Sequence, residues 1–360
     1  MGKNLMRSLF QWATVTPVLA WVLYFTGLID DSALYQVGAT VLLIASVISA
    51  VHHSEIIAHR VGEPYGTIIL AVAVTIIEVS IIVSLMLSGG QESLSLARDT
   101  VFSATMLILN GIVGACLFIG GWKYHEQNFS KHSATIALVS IVSIIILTLV
   151  FPSFTTSVKG PYYSSPQLLF VSITCIVIYG FFLFAQTKRH REYFLSADEN
   201  DRPADVKIST TQFGASLAFL IVSLAIVVLL AKTLSPTIEA IIVKHDLPEA
   251  LVGVIIAAVI LLPEGIAAII AAMNNKLQTS LNLALGSALA SIGLTIPCVA
   301  IVSIIFDMKI ILGLDAKSII LLGLSVFIVM LSLASGRTNI VYGVVLLVNL
   351  LAFIFLIIYP

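Results

Sequence analysis

Long stretches of apolar residues, each closed off by a short polar or charged segment, follow one another along almost the whole chain. A helix needs about 20 apolar residues to cross the hydrocarbon layer, and unpaired backbone groups are too costly there, so such stretches predict spanning helices. Eleven are present, near 9 to 29, 34 to 57, 64 to 88, 100 to 122, 133 to 152, 165 to 187, 212 to 232, 250 to 273, 279 to 306, 316 to 335 and 338 to 359. The first follows Lys3 and Arg7 in the manner of a signal peptide, but it is long and no small-residue cleavage site follows it, so it is expected to stay as a helix.

The spacing of the few polar residues repeats. A shift of 186 residues lays His59, Glu63 and Glu78 on His245, Glu249 and Glu264, and chance matching of three rare residue types in so apolar a chain is unlikely to arise. Runs two to six correspond to runs seven to eleven under roughly this shift. Five is an odd number, so the second set enters the membrane from the opposite side, as in the inverted-topology repeats of secondary transporters. The expected fold is all-α integral membrane: an extra N-terminal transmembrane helix (1–30), a first five-helix repeat (31–187), a charged cytoplasmic linker (188–211) and a second five-helix repeat (212–360).

Composition excludes a soluble protein, with 59% hydrophobic and 10% charged residues and a mean hydropathy of +1.09. The 18 Lys and Arg nearly balance the 19 Asp and Glu, which gives no electrostatic case for nucleic acid. Placing the N-terminus in the cytoplasm puts twelve of the 18 basic residues inside and the C-terminus on the opposite side, in accord with the positive-inside rule. The three cysteines lie within predicted spans without metal-ligand spacing and read as small buried hydrophobes. In the linker, Lys188, Arg189 and Arg191 precede Asp198, Glu199, Asp201 and Asp205; a solvated mixed-charge segment is the plain reading, a regulatory cation site the sharper one.

Glu78 and Glu264 are the acidic residues that fall near the midpoints of spans, and they are repeat mates. A carboxylate at that depth costs several kcal/mol unless it faces a cavity, a partner or an ion. No Lys or Arg lies at matching depth. Two carboxylates meeting without a basic partner would hold protons when empty, because repulsion and poor solvation both penalise the ionised pair. A hard divalent cation such as Ca²⁺ is neutralised by two carboxylates and would displace those protons. Ligands shared by cation and proton suffice for coupled antiport, provided the empty charged site cannot reorient. A purely structural alternative is that each Glu stays protonated and bonds a neighbouring helix.

Thr75, Ser103, Thr105 and Asn110 in the first repeat, and Asn282, Ser287 and Ser291 in the second, are candidates to complete the coordination shell, although such residues commonly bond backbone instead. The small residues of 286–293 predict close helix approach, and Pro263 and Pro297 predict local helix weakening around an ion site. Glu55, His59 and Glu63, with His245 and Glu249, are candidate entrance residues that gather cations or protons, with helix capping as their ordinary alternative.

These segments, Ser54-Glu55 through Arg60-Val61-Gly62 to Glu78 and Leu247-Pro248-Glu249 through Val252-Gly253 to Glu264, resemble the calcium/cation antiporter superfamily. The likeness is to its proton-coupled branch and the bacterial ChaA-type calcium/proton (sodium-potassium/proton) antiporters, and it extends over nearly the whole chain. The resemblance implies eleven helices, an acidic linker, location in a bacterial cytoplasmic (inner) membrane, no cofactor, and exchange of Ca²⁺ for H⁺ on the two Glu residues. Pro263-Glu264 is similar to the proline-glutamate pair of the wider superfamily. Many eukaryotic exchangers of this kind carry Asn three residues before each essential Glu, whereas here Thr75 and Leu261 stand at those places, and Ala290 stands where a Gln is common. Fewer oxygen ligands should weaken Ca²⁺ binding and admit Na⁺ or K⁺.

A pump is disfavoured because no phosphate-cradling glycine-lysine loop is present, and an intramembrane metalloprotease because His-Glu-x-x-His is absent. A sodium-coupled calcium exchanger and a passive cation channel remain as alternatives that share the acidic midplane.

Overall fold

The computed structural model describes residues 2–30, 32–61, 65–88, 92–195, 208–244, 248 and 250–359. Its described residues are nearly all helical, with one isolated bridge, Asn128 to Arg337, and no longer strand pairing among them. Eleven long helical segments follow the predicted runs: α1 Gly2–Thr26, α2 Ala33–Val61, α3 Tyr65–Ser88, α4 Leu96–Tyr124, α5 Lys131–Ser153, α6 Ser165–Arg189, α7 Thr210–Lys244, α8 Ala250–Met273, α9 Leu277–Ile305, α10 Ala316–Ala334 and α11 Ile340–Ile358. Among the described residues nine of these are long and apolar enough to cross a membrane, and α1 and α3 contribute the shorter apolar stretches 12–26 and 72–86.

The surface is apolar, as a lipid solvent requires. Phe170, Ile173, Phe181, Ile320, Phe327, Leu351 and Phe355 are all exposed, while Ser, Thr and Asn side chains occupy buried positions beside the aliphatic core. The hydroxyls of Thr105, Ser143, Thr148 and Ser172 donate back to the carbonyl four residues earlier in their own helices.

Two differences from the expected helices have physical causes. α7 runs on to Lys244 rather than ending near residue 232, carrying Lys232 and Pro236 within it; isolated polar residues stop an apolar run without stopping a helix. Pro263 and Pro297 do not break α8 or α9, which stay continuous, since one missing donor is tolerated where neighbouring groups re-satisfy the backbone. The irregularities fall elsewhere, as π turns at Leu107–Ile112, Ile146–Val150 and Ala185–Arg189.

The chain divides into two compact units, residues 1–93 with 203–247, and residues 94–202 with 248–360. Each takes helices from both predicted repeats. In the first, α1, α2 and α7 pack around Ala20, Ile29, Ala39, Ile226, Leu230 and Leu234, and α3 packs on α2 and α7. Ser49 of α2 donates to the Ala13 carbonyl and meets Ser223 of α7 at 3.2 Å, and Arg60 donates to the Ile208 carbonyl at 2.6 Å. In the second, α4 and α9 are the most enclosed spans.

Within the second unit, α4 is gripped on two sides by glycine contacts. A Cβ at Gly253 of α8 would meet the Asp99–Thr100 backbone, and one at Gly265 would stand 3.3 Å from Ile112 Cδ1. These contacts climb both helices in the same sense, so α4 and α8 run parallel. On the other side Gly111 meets Leu350 and Gly114 meets Leu346 of α11, which runs antiparallel.

Candidate functional site

Two carboxylates dominate the chemistry of the spans, one in each unit. Glu78 sits near the middle of the 24-residue α3, with only 2% of its surface exposed. Val72 and Ile76 mark the exposed face of the same helix, so Glu78 lies on the inward face because the turn places it away from them. Thr75, one turn earlier on that face, is also buried.

Glu264 lies at a similar depth in the 24-residue α8 and is half-buried. Ile255, Leu262, Ile266 and Ile270 form the exposed stripe of this helix, and Ala257, Leu261, Gly265, Ala268 and Ala272 the buried one. Among the described residues no three His, Cys, Asp or Glu side chains gather as a metal-holding group.

Ser287 and Ser291 of α9 are half-buried and buried respectively. α9 follows α8 through a three-residue turn, and Ser287 stands ~15 Å from the α9 start at about 1.5 Å per residue, the depth of Glu264 counted back from Met273. Ser287 is therefore about level with the second carboxylate, and Ser291 lies one turn, ~6 Å, further along α9. The predicted tight stretch is uneven: a Cβ at Gly286 would meet nothing within 4 Å, whereas one at Gly293 would press on Tyr179.

The other candidate ligands are drawn elsewhere. Thr105 donates to the Val101 carbonyl at 2.8 Å within its own helix. Ser103 lines a cavity of about 190 Å³ near the starts of α4 and α10, together with Arg98, Asp99, Asp315 and Lys317. There Asp99 is already held by Arg98 at 2.7 Å and by the Ser95 hydroxyl at 2.8 Å. Asn110 is fully buried against Ser325 of α10 and Asn349 of α11. Asn282 lies near the α9 start, where it accepts from Gln278 and donates to the Phe194 carbonyl at 2.6 Å.

Of the entrance candidates, Glu55 and His59 are exposed and one turn apart near the end of α2. His59 thus belongs to a helix C-terminus, where a positive charge is favoured by the helix dipole, and not to the start of α3. Neighbouring His53 is fully buried and stacks on Phe219 at 5.4 Å. Glu63, His245 and Glu249, like the linker acids Asp198, Glu199, Asp201 and Asp205, lie outside the described residues.

Sequence reasoning missed Ser325 and Asn349. Each is a polar residue in the middle of an apolar run, and Asn349 is the sole amide of the run 340–358. That was a usable signal, but under the shift of 186 Ser325 falls on Val139 and Asn349 on Tyr163, so neither recurs as the same residue type and the symmetry argument passed over both.

Comparison with known proteins follows the same architecture. The chain is 42% identical to y4hA of Sinorhizobium fredii, a protein named as an ionic transporter, over 96% of this chain and 95% of that protein. It is 32% identical to the sodium-potassium/proton antiporter ChaA of Escherichia coli, over 92% of each. Among solved structures, native YfkE shares the fold with a TM-score of 0.74 at 21% identity, covering 98% of this chain and 99% of that one. The H⁺/Ca²⁺ exchanger CAX gives 0.71 at 14% identity, over 95% and 88%. Residues 32–188 and 215–359 match the sodium/calcium exchanger protein family. With that match across most of its length, the exchanger fold around it and its apolar exterior, the chain is a multi-pass membrane protein of the sodium/calcium exchanger family.

Proposed function

We propose that the protein is a secondary active cation/proton antiporter that binds its cation and its protons alternately on Glu78 and Glu264. The observation that carries this reading is the pair of midspan carboxylates, one fully buried and one half-buried, at equivalent positions of a repeated pattern without Lys or Arg at their depth. A cation binding there displaces protons, and neither the cation-loaded nor the protonated state carries the full cost of two bare carboxylates in lipid. Because the two forms exclude one another, transport of one in each direction follows from alternating access. The names of the E. coli relative and of the CAX structure, both proton-coupled, support the choice of H⁺ as counter-ion. The match of the family in two blocks, 32–188 and 215–359, supports reading the chain as two repeats of five helices joined by a linker.

Ca²⁺ is the expected cation, with Thr75, Ser287 and Ser291 the hydroxyls best placed to assist. Na⁺ and K⁺ form a second reading, favoured by Thr75, Leu261 and Ala290 standing where amide-bearing side chains would supply oxygen, and by the sodium and potassium named for the E. coli relative. The protein works in a bacterial inner membrane with its N-terminus inside, extruding cation as protons enter.

The test is proton flux in sealed vesicles under an imposed pH gradient, with Ca²⁺, Na⁺ and K⁺ added separately. Collapse of the gradient on cation addition, absent in Glu78→Gln, names the ion and the coupling. Cation movement without proton movement would replace antiport with a channel, and dependence on a sodium gradient would replace H⁺ with Na⁺.

A further inference from the structure

The second unit holds a midspan polar cluster that the proposed ion site does not use. Asn110, Ser325 and Asn349 come from the middles of α4, α10 and α11, and all three are buried. Asn110 Nδ2 donates to Ser325 Oγ at 2.9 Å and faces Met106 Sδ at 3.7 Å. Asn349 Nδ2 donates to Asn110 Oδ1 at 3.0 Å and to Ser325 Oγ at 2.8 Å. The Ser325 hydroxyl donates to the Leu321 carbonyl at 2.8 Å.

Each amide brings two protons and the hydroxyl one, and every one of them is accounted for by these contacts. Ser325 Oγ accepts two of these protons and Asn110 Oδ1 accepts one, so the cluster turns these side chains toward one another. It is built to hold three helices together at a depth where water cannot compete for the bonds.

What it holds is the π turn of α4, Leu107–Ile112. A π turn carries one residue more than the α-helix requires, is rare, and is found frequently at functional positions. Asn110 anchors this one toward α10 and α11. Gly111 and Gly114 allow α11 to press close behind it, at 3.2 Å for Leu350 Cδ2 and 3.0 Å for Leu346 Cβ from the positions a Cβ would take. At the end of the turn Ile112 rests on Gly265 of α8, the residue after Glu264. α4 is thus wedged between the clamp on one side and the carboxylate-bearing helix on the other, and close-packed interiors transmit such displacements.

We propose that Ser325 and Asn349 are positioning residues for cation transport: through Asn110 they fix the π turn of α4, and through Ile112 against Gly265 they set where α8 presents Glu264. The inference rests on the reading of Glu264 as a cation ligand. It assigns Asn110 a place in the clamp and not in the coordination shell.

The test uses full-length protein reconstituted in liposomes, with cation-driven proton flux measured across a range of Ca²⁺, Na⁺ and K⁺ concentrations for Ser325→Ala, Ser325→Thr, Asn349→Leu and Glu264→Gln. Only protein eluting as a single sharp peak is assayed. Residues that orient a metal ligand alter metal affinity about 10–100-fold when removed, so Ser325→Ala and Asn349→Leu should raise KM for the transported cation about tenfold or more, and Ser325→Thr, which keeps the hydroxyl, should restore it. Wild-type KM in folded Ser325→Ala and Asn349→Leu, with only a lower folded yield, would reduce the cluster to packing and overturn the inference. If Ser325→Ala fails to fold, the Asn349→Leu and Ser325→Thr values decide in the same way. Loss of exchange in Glu264→Gln alongside unchanged KM in the clamp variants defeats the positioning role alone; normal exchange in Glu264→Gln defeats the site on which it rests.

Discussion

Gly253 of α8 lies so close to α4 that a Cβ there would stand 2.7 Å from the Asp99 carbonyl carbon. The obstacle is backbone, which cannot swing aside as a side chain would, so Gly253→Ala must part the two helices near their starts. Overpacking of this kind costs about 1–3 kcal/mol. The expected result is a lower thermal unfolding midpoint in detergent and a smaller folded fraction. Gly286→Ala, where a Cβ meets nothing within 4 Å, should leave both unchanged, and equal behaviour of the two variants would contradict the close packing of α4 on α8.

Replacing either midspan carboxylate by its amide keeps shape while removing the titratable group. Glu78→Gln and Glu264→Gln should each insert and fold, and each should lose cation-driven proton flux in vesicles. Robust exchange by either folded variant would end the shared-carboxylate mechanism.

Competition for shared ligands also fixes the sign of the pH dependence. Cation binding releases protons, so acid opposes it: below the pH at which the empty site takes up protons, the half-saturating cation concentration should rise roughly tenfold per pH unit for each proton displaced. Measured flux at matched gradients and varied absolute pH reads this directly. A half-saturating concentration independent of pH would mean that cation and proton occupy separate sites.

The helices were legible in the sequence because lipid permits so few alternatives: an apolar run of spanning length must be a helix, and its ends are where charges begin. α7 shows the limit of that rule, since Lys232 and Pro236 read as an ending yet lie inside a helix that continues to Lys244. Glu78 and Glu264 stood out because ionisable residues are rare at midspan and because they repeat. Ser, Thr and Asn were harder to sort. Thr105, Asn110 and Asn282 look alike as candidate ligands in a sequence, but which of them bonds its own helix, a neighbouring span or a loop depends on rotations about helix axes that no spacing reports. The clamp of Asn110 with Ser325 and Asn349 joins residues more than two hundred positions apart, and its contacts appear only in the folded chain.

Selectivity should respond to the residue one turn before each carboxylate. Thr75 shares the buried face of α3 with Glu78, and Leu261 is buried on α8 three residues before Glu264. Thr75→Asn exchanges a hydroxyl oxygen for the longer-reaching carbonyl oxygen of an amide, within reach of a cation held by Glu78. Because Ca²⁺ is bound by carboxylate and amide-carbonyl oxygens, the half-saturating Ca²⁺ concentration should fall on the order of tenfold, with Na⁺ and K⁺ little changed. Leu261→Asn should act in the same direction if it folds. Unaltered ion preference in Thr75→Asn would place the cation away from that face of α3.

Asn282 makes the opposite case. It was a candidate ligand by residue type, yet its amide donates to the Phe194 carbonyl and accepts from Gln278, whose own amide also reaches Ser133 and whose oxygen takes the Ser130 amide proton. Phe194 closes the short helical turn Arg191–Phe194 within the linker region, and its ring packs edge-on against Phe182. Asn282→Ala removes the bond and leaves a carbonyl without its donor, a loss of about 1–3 kcal/mol when the group is buried. The turn should therefore exchange its amide hydrogens faster and the unfolding midpoint should drop, while KM and the maximal rate of cation/proton exchange stay at wild-type values. A rise in KM without a change at residues 191–194 would return Asn282 to the coordination shell.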